Sequence, residues 1–259
     1  MSYKTILAVL QGKEDVNRVL DCALPLATRF SAHLIGIHTE AIPIPYVTPM
    51  GFADTQLIAA NLEANRERSL EVQKIFEDRM KREGVSFAWQ AVENISGDGA
   101  VGALSVARAC DLVVAQQSDP EGGTLANLEA LLFESGRPVL FVPYAVAVNP
   151  SFRKILIAWN GSQQAARAVF DALPFIREAE SVEILSVDAV DTSQQDAAVA
   201  GADIAAALAR HGAKVSFASM ASGGLAAGEA IENQIADSGA ELLVMGAYSQ
   251  SWLKEFFFG

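Results

Sequence analysis

The chain has 259 residues, of which 51% are hydrophobic and 19% charged, and this composition excludes a disordered protein. The formal net charge of −12 opposes binding to nucleic acid or to an anionic membrane. The two cysteines, Cys22 and Cys110, lie in unrelated segments. They favour reduced thiols over a disulfide framework or a metal site. The apolar run near the start is too short for a signal peptide, so we expect a cytoplasmic protein.

Each half of the chain alternates short apolar runs with helical patterns. Continuous apolar runs such as KILIAW are typical of strands that are buried on both faces of a parallel sheet. Strands alternating with helices predict an α/β fold with a doubly wound, Rossmann-like parallel sheet. A fifth strand of the first half is predicted at 137–143. The predicted elements of the second half are strands at 154–159, 181–187, 214–220 and 241–246, a helix at 192–212, and a glycine-rich turn and helix at 223–239.

The second half of the chain repeats the first. Four segments recur in the same order, which chance does not produce. The pattern predicts two copies of one domain, residues 1–145 and 151–259, arranged as a pseudo-dimer within one chain, with a homodimer of such chains as a further option. The matched segments are residues 3–12 with 152–161, 19–27 with 169–176, 33–38 with 183–188, and 109–118 with 239–248.

The copies differ between their second and third strands. There the first copy carries an insertion that consists of a proline-rich loop at 41–52 and a long charged helix over about residues 54–83. A loop with prolines and aromatic residues could cover a site as a lid. A solvent-facing elaboration without a role in binding is the preferred interpretation.

Ligands of open parallel sheets bind beyond the carboxyl ends of the strands, where the strand order reverses. The residues that follow the strands of the second copy are therefore the candidate ligand contacts. His33 and His38 lie on opposite faces of one strand and cannot share a metal ion. The sequence contains no nucleophile elbow, Walker lysine or metal-binding cluster, so we expect no catalytic residues. The candidate contacts are Asn160–Ser162, Asp188, Ser222–Gly224 and Gly246–Ser249.

The tandem βαβ units, the AWNGS turn and the final GAYSQSWLKEFFFG resemble the universal stress protein family in its two-domain form. Nucleotide-binding members of that family have a phosphate motif after the fourth strand. It reads glycine, two residues, glycine, nine residues, glycine, then serine or threonine. Here Gly246, Ser249 and Gly259 keep the spacing, with serine at the second position. The resemblance implies an adenine-nucleotide-hydrolase-like fold, with ATP phosphates held by backbone N–H groups of this loop.

The resemblance also implies where the nucleoside would bind. Asn160 stands where binding members have an aspartate that holds the adenosine, and Gly161 and Val187 complete that end of the implied site. In the first copy Gln116 replaces the glycine of the motif, and Asp119 would repel a phosphate. Any nucleotide is therefore expected in the second half.

Three functions remain open from the sequence. The preferred one is a stress-response protein that senses or sequesters a ligand such as ATP without fast turnover. The others are an ATP hydrolase or adenylating enzyme, and an interaction module whose sites have decayed.

By the spacing of the first copy, the fifth strand of the second copy lies beyond Gly259, so we expect the natural protein to continue past that residue.

Overall fold

A computed structural model describes residues 2–42, 55–94, 99–117, 129–188 and 197–247. The chain divides into two compact units, which we call the first unit (Ser2–Pro150) and the second unit (Ser151–Gly259). Each unit contains one parallel sheet with helices on its faces. The predicted α/β, doubly wound fold class is confirmed.

The first unit has a five-stranded parallel sheet in the order β3-β2-β1-β4-β5. The central strand is buried at every residue but its first, as the continuous apolar pattern predicts. The inserted helix, predicted at about 54–83, is α2. The elements are β1 (Thr5–Val9), α1 (Lys13–Phe30), β2 (His33–Ala41), α2 (Thr55–Glu83), β3 (Phe87–Asn94), α3 (Gly99–Ala107), β4 (Leu112–Gln116), α4 (Glu129–Glu134) and β5 (Val139–Val142).

The second unit has four parallel strands in the order β8-β7-β6-β9 among the residues described. The strand predicted at 181–187 has the predicted bounds, whereas the helix predicted at 192–212 is described from residue 197 onward. The elements are β6 (Lys154–Ala158), α5 (Gln163–Asp171), α6 (Leu173–Ile176), β7 (Ser181–Val187), α7 (Ala197–Arg210), β8 (Val215–Met220), α8 (Ala227–Ser238) and β9 (Leu242–Val244).

Helices cover both faces of the first sheet. A Cβ atom on Gly36 of β2 would come within 2.7 Å of the Phe76 ring of α2, and Gly102 of α3 approaches Thr39 of the same strand. Residues three apart on a strand face opposite sides, so α2 and α3 cover opposite faces of the sheet. The close approach of Phe76 explains why β2 contains a glycine at this position.

The strand register corrects the alignment of the two copies. Thr5 of β1 pairs with His33, whereas the corresponding Lys154 of β6 pairs with Ser181. The expected match of residues 33–38 with 183–188 is therefore wrong by two residues. In the observed register His38 corresponds to Ser186, and Glu40 corresponds to Asp188.

Both cysteines are unpaired and buried. Burial raises the pKa of Cys22 to about 12 and that of Cys110 to about 11, so both thiols stay protonated and unreactive at neutral pH.

In the described ranges, no helix is long and apolar enough to cross a membrane.

Each unit has its own carboxylate at the amino edge of its sheet. In the first unit, Asp111 precedes β4 and accepts hydrogen bonds from the backbone N–H groups of Lys4 at 2.7 Å and Thr5 at 2.9 Å. In the second unit, Glu241 precedes β9 and accepts from the N–H of Arg153 at 2.6 Å. In each unit the carboxylate ties the start of the fourth strand to the start of the central strand.

This contact gives a pH-dependent prediction. The hydrogen bond from the backbone N–H of Arg153 lowers the pKa of Glu241. Because the pKa is lower in the folded state, the ionised carboxylate stabilises the fold above the unfolded-state pKa of about 4.3. That contribution is lost as the pH falls. In urea denaturation at about pH 7, Glu241→Gln is expected to lower the free energy of unfolding by about 1 kcal/mol.

The cost of Glu241→Gln is expected to shrink at about pH 4, because the unfolded chain, whose glutamate pKa is about 4.3, is then largely protonated at this residue. Glu180→Gln is the control, because the carboxylate of Glu180 meets the guanidinium of the same Arg153 across an exposed 3.9 Å ion pair, and the substitution leaves the backbone hydrogen bond between the two residues intact. An equal cost of Glu241→Gln at both pH values would contradict the assigned contact.

Candidate functional site

The candidate site lies at the carboxyl edge of the second sheet, between β6 and β9. The central strand β6 pairs with β7 on one side and with β9 on the other, so the crossover direction reverses at this point. Open parallel sheets bind ligands at such a reversal. Asn160 follows β6 and Gly246 follows β9, so the fold brings both predicted residues to this edge.

The turn after β6 is held by the side chain of Asn160. Its Oδ1 accepts a hydrogen bond from the backbone N–H of Ser162 at 3.1 Å, and Gly161 between them has φ +73°. Ser162 then caps α5, with its Oγ accepting from the N–H of Ala165 at 3.1 Å. Asn160 is exposed, and its amide NH₂ group can donate to a ligand.

Gly246 lies against the first turn of α5. A Cβ atom at this position would come within 2.6 Å of the backbone N of Ala165 and 2.7 Å of the carbonyl carbon of Gln164. These are backbone atoms of a capped helix, which cannot turn aside as the end of a long side chain can. The close approach of the chain after β9 to the first turn of α5 therefore requires glycine here, independently of any phosphate.

Asp188 follows β7 at the same edge and is exposed. Its backbone lies in the left-handed region with φ 46°, which aspartate tolerates better than most residues. Its Oδ1 accepts a hydrogen bond from the backbone N–H of Ser222 at 2.9 Å. Hydrogen bonds from the hydroxyl and then from the N–H of Ser222 lower the pKa of Asp188. The carboxylate is therefore an anion at neutral pH, held by the Ser222–Gly224 turn.

Val187 at the end of β7 and Trp159 directly after β6 also lie at this edge of the second sheet. The half-buried side chain of Val187 packs against the buried cluster of Leu156, Leu185 and Ile231. Trp159 directly precedes Asn160, and its buried Nε1 has no hydrogen-bond partner among the residues that the structure describes. A buried indole N–H usually has an acceptor, and the sequence analysis did not single out this residue.

The corresponding edge of the first unit is occupied by its own side chains. The carboxylate of Asp15 is buried and accepts hydrogen bonds from the backbone N–H groups of Gln11 and Gly12, both at 2.9 Å. Burial raises the pKa of Asp15, and these hydrogen bonds oppose that effect. At the end of β4, the guanidinium of Arg18 donates to Oε1 of Gln116 at 3.1 Å.

A second polar chain joins β1, β2 and α2 at this edge. The side chain of His38 is fully buried, and its Nδ1 donates to the carbonyl oxygen of Leu10 at 2.6 Å, since a carbonyl can only accept. The Nε2 atom of His38 lies 3.0 Å from Oε1 of Glu40. The guanidinium of Arg68 on the inserted helix lies 3.1 Å from the same carboxylate. The insertion thus supplies the counter-ion of Glu40.

The structure places three of the predicted contacts together, since Asn160, Gly161 and Gly246 all adjoin the amino end of α5. Ser249 and Gly259 lie outside the described residues. The residues that close the first unit's edge were not predicted, because their partners are distant in sequence. Within the described part of the chain, no group of three or more His, Cys, Asp or Glu side chains could hold a metal ion.

The fold of each unit is that of a doubly wound α/β protein. Among solved structures, a universal stress protein from Archaeoglobus fulgidus matches with a TM-score of 0.68 at 14% identity, over 93% of this chain and 86% of that chain. A functionally unknown protein from Pseudomonas aeruginosa matches with a TM-score of 0.56 at 15% identity, over 99% of this chain and 86% of that chain.

These likenesses confirm the predicted resemblance to universal stress proteins at the level of the fold, and they extend over both units. No family model and no curated protein matches the chain.

The packing of Gly246 can be tested without any ligand. Gly246→Ala is expected to lower the free energy of unfolding by about 1–3 kcal/mol, because the added methyl group meets helix backbone. Urea denaturation of the nucleotide-free protein measures this change. Gln116→Ala, at the corresponding position of the first unit, is the control and should cost less. A Gly246→Ala variant as stable as the wild type would show that the residue after β9 does not approach the backbone of α5 as described.

Proposed function

We propose that the chain is a two-domain universal stress protein that binds an adenine nucleotide, ATP in the first instance, at the carboxyl edge of its second sheet. The phosphates would bind near the loop that begins at Gly246, and the nucleoside would bind near Asn160 and the backbone of Val187. The protein would act in the cytoplasm as a stress-response sensor or store of the ligand.

The main support is the contrast between the two edges of one repeated fold. In the first unit the edge is filled by the buried carboxylate of Asp15 and by the chain from His38 through Glu40 to Arg68. In the second unit the corresponding strand ends carry the exposed side chains of Asn160 and Asp188. Exposed hydrogen-bonding groups at a reversal of strand order are suited to a polar ligand.

We also propose that binding occurs without fast turnover. The polar side chain at the end of β6 is an amide, which is neither acidic nor basic at neutral pH. An amide can orient a nucleotide, but it cannot take a proton from an attacking water molecule.

An interaction module that binds no nucleotide is the second candidate. One observation favours it: the close approach of residue 246 to the backbone of α5 requires glycine, so Gly246 does not by itself point to a phosphate. The serine at position 249 and the asparagine at position 160 also depart from the binding motif.

Calorimetric titration of the purified chain with ATP separates the two candidates. The wild type is expected to bind ATP, and Asn160→Asp is expected to bind it about tenfold more tightly, because a charged acceptor strengthens the hydrogen bond to the adenosine. An aspartate can still accept from the N–H of Ser162, so the turn is kept. Gln116→Ala, in the first unit, should leave the affinity unchanged.

Absence of binding for ATP and ADP at millimolar concentration, in both the wild type and Asn160→Asp, would reject the nucleotide proposal. The interaction module would then be the better account. A loss of affinity in Gln116→Ala would place the ligand in the first unit instead.

A further inference from the structure

Both units have an acid at the same position of the fold. The register of the strands makes Glu40 of β2 equivalent to Asp188, which follows β7. The sequence alignment hides this pair, because it matches His38 with Asp188. Only the observed register shows that the two acids occupy one structural position and can be compared directly.

The two acids have opposite surroundings. The carboxylate of Glu40 has 12% of its side-chain surface exposed and meets both His38 and Arg68. Asp188 is exposed, and in the ranges covered by the structure no cation contacts it. Its described hydrogen bonds come from Ser222 alone, and a carboxylate offers about four acceptor positions. Asp188 can therefore accept further hydrogen bonds, whereas the carboxylate of Glu40 is already paired with His38 and Arg68.

The backbone around Asp188 fixes the direction of this acceptor. Its N–H donates to the carbonyl oxygen of Met220 at 3.0 Å, while Ser222 holds Oδ1 from the following turn. Gly223 and Gly224 continue that turn with φ +66° and +93°. A strained residue held by neighbours in this way is a feature of binding sites, since the geometry exists before the ligand arrives.

We propose that Asp188 is a specificity-determining contact that accepts a hydrogen bond from a donor group on the nucleoside. This inference rests on the proposed function. Neighbouring strands lie about 4.8 Å apart. A nucleotide with its phosphates at the end of β9 must therefore extend across β6 to bring its nucleoside to Asp188. The available donors there are the exocyclic amine of adenine and the ribose hydroxyls.

The charge of Asp188 makes this contact selective. An anionic acceptor attracts an amino or hydroxyl hydrogen, and it repels a carbonyl oxygen or a phosphate at the same place. The site should therefore discriminate against a ligand that has lost the donor. Glu40 of the first unit is not an equivalent contact, because its carboxylate already meets the guanidinium of Arg68 and the ring of His38.

Calorimetric titration of the full chain with ATP, 2′-deoxy-ATP and ITP tests the inference. The wild type is expected to bind ATP about tenfold or more tightly than at least one of the two analogues. Weaker binding of 2′-deoxy-ATP identifies a ribose hydroxyl as the donor, and weaker binding of ITP identifies the amine. In Asp188→Asn, which tolerates the positive φ, the affinities should agree within about twofold, because an amide can both donate and accept.

Asp188→Gly provides a second variant that also suits the positive φ, and Glu40→Gln is the matched control in the first unit. Glu40→Gln should keep the wild-type ratio of affinities. Equal wild-type affinities for all three nucleotides would overturn the inference and leave the proposed function standing. Discrimination that survives in both Asp188 variants would also overturn it. Absence of binding by all three nucleotides would overturn both the inference and the proposed function.

Discussion

Parallel pairing of β2 with β1, and of β7 with β6, decides which side chains meet at the carboxyl edge of each sheet. Because the register is the same in both units, Glu40 and Asp188 reach one position, as do His38 and Ser186. The side chains at these equivalent positions then determine whether the carboxyl edge of a sheet is occupied by the unit's own residues or exposed to solvent. The identity of the side chains that could contact a ligand at this edge depends on the register more than on any single motif.

The same sheet topology can therefore have different side chains at its carboxyl edge in the two units. In the first unit, the buried Asp15 and the pair of His38 with Glu40 require partners, since an unpaired buried charge is costly. The inserted helix α2 contributes Arg68 as one of those partners. In the second unit, Ser186 replaces the histidine and Asp188 remains in contact with solvent. The insertion is thus part of what closes the first edge, rather than a solvent-facing elaboration alone.

Most of the fold could be predicted from the sequence, because continuous apolar runs and helical spacing leave few alternatives. The strand Ser181–Val187 and the helix Thr55–Glu83 lie where the pattern places them. The register could not be predicted, since a shift of two residues leaves every side chain on the same face of the sheet. For this reason the alignment of HLIGIH with EILSVD looks acceptable in sequence and is wrong in structure.

The candidate site could be predicted only in part. Ligands of open parallel sheets bind beyond the carboxyl ends of the strands, and this rule identifies the residues that follow buried strands, namely Asn160, Gly161 and Gly246. The motif did not reveal that Gly246 packs on the backbone of α5, because helix packing and phosphate binding both require glycine there. The contact between Arg68 and Glu40 joins residues that are 28 apart in the chain, and no local pattern indicates it.

The central proposal is that a nucleotide binds at the carboxyl edge of the second unit rather than the first. Photoaffinity labelling of the purified chain with 8-azido-ATP, followed by peptide mapping, tests this claim most directly. The account predicts labelled peptides from the second unit, Ser151–Gly259, with labelling reduced by competing ATP. Labelling that competes with ATP but is confined to the first unit, Ser2–Pro150, would contradict it.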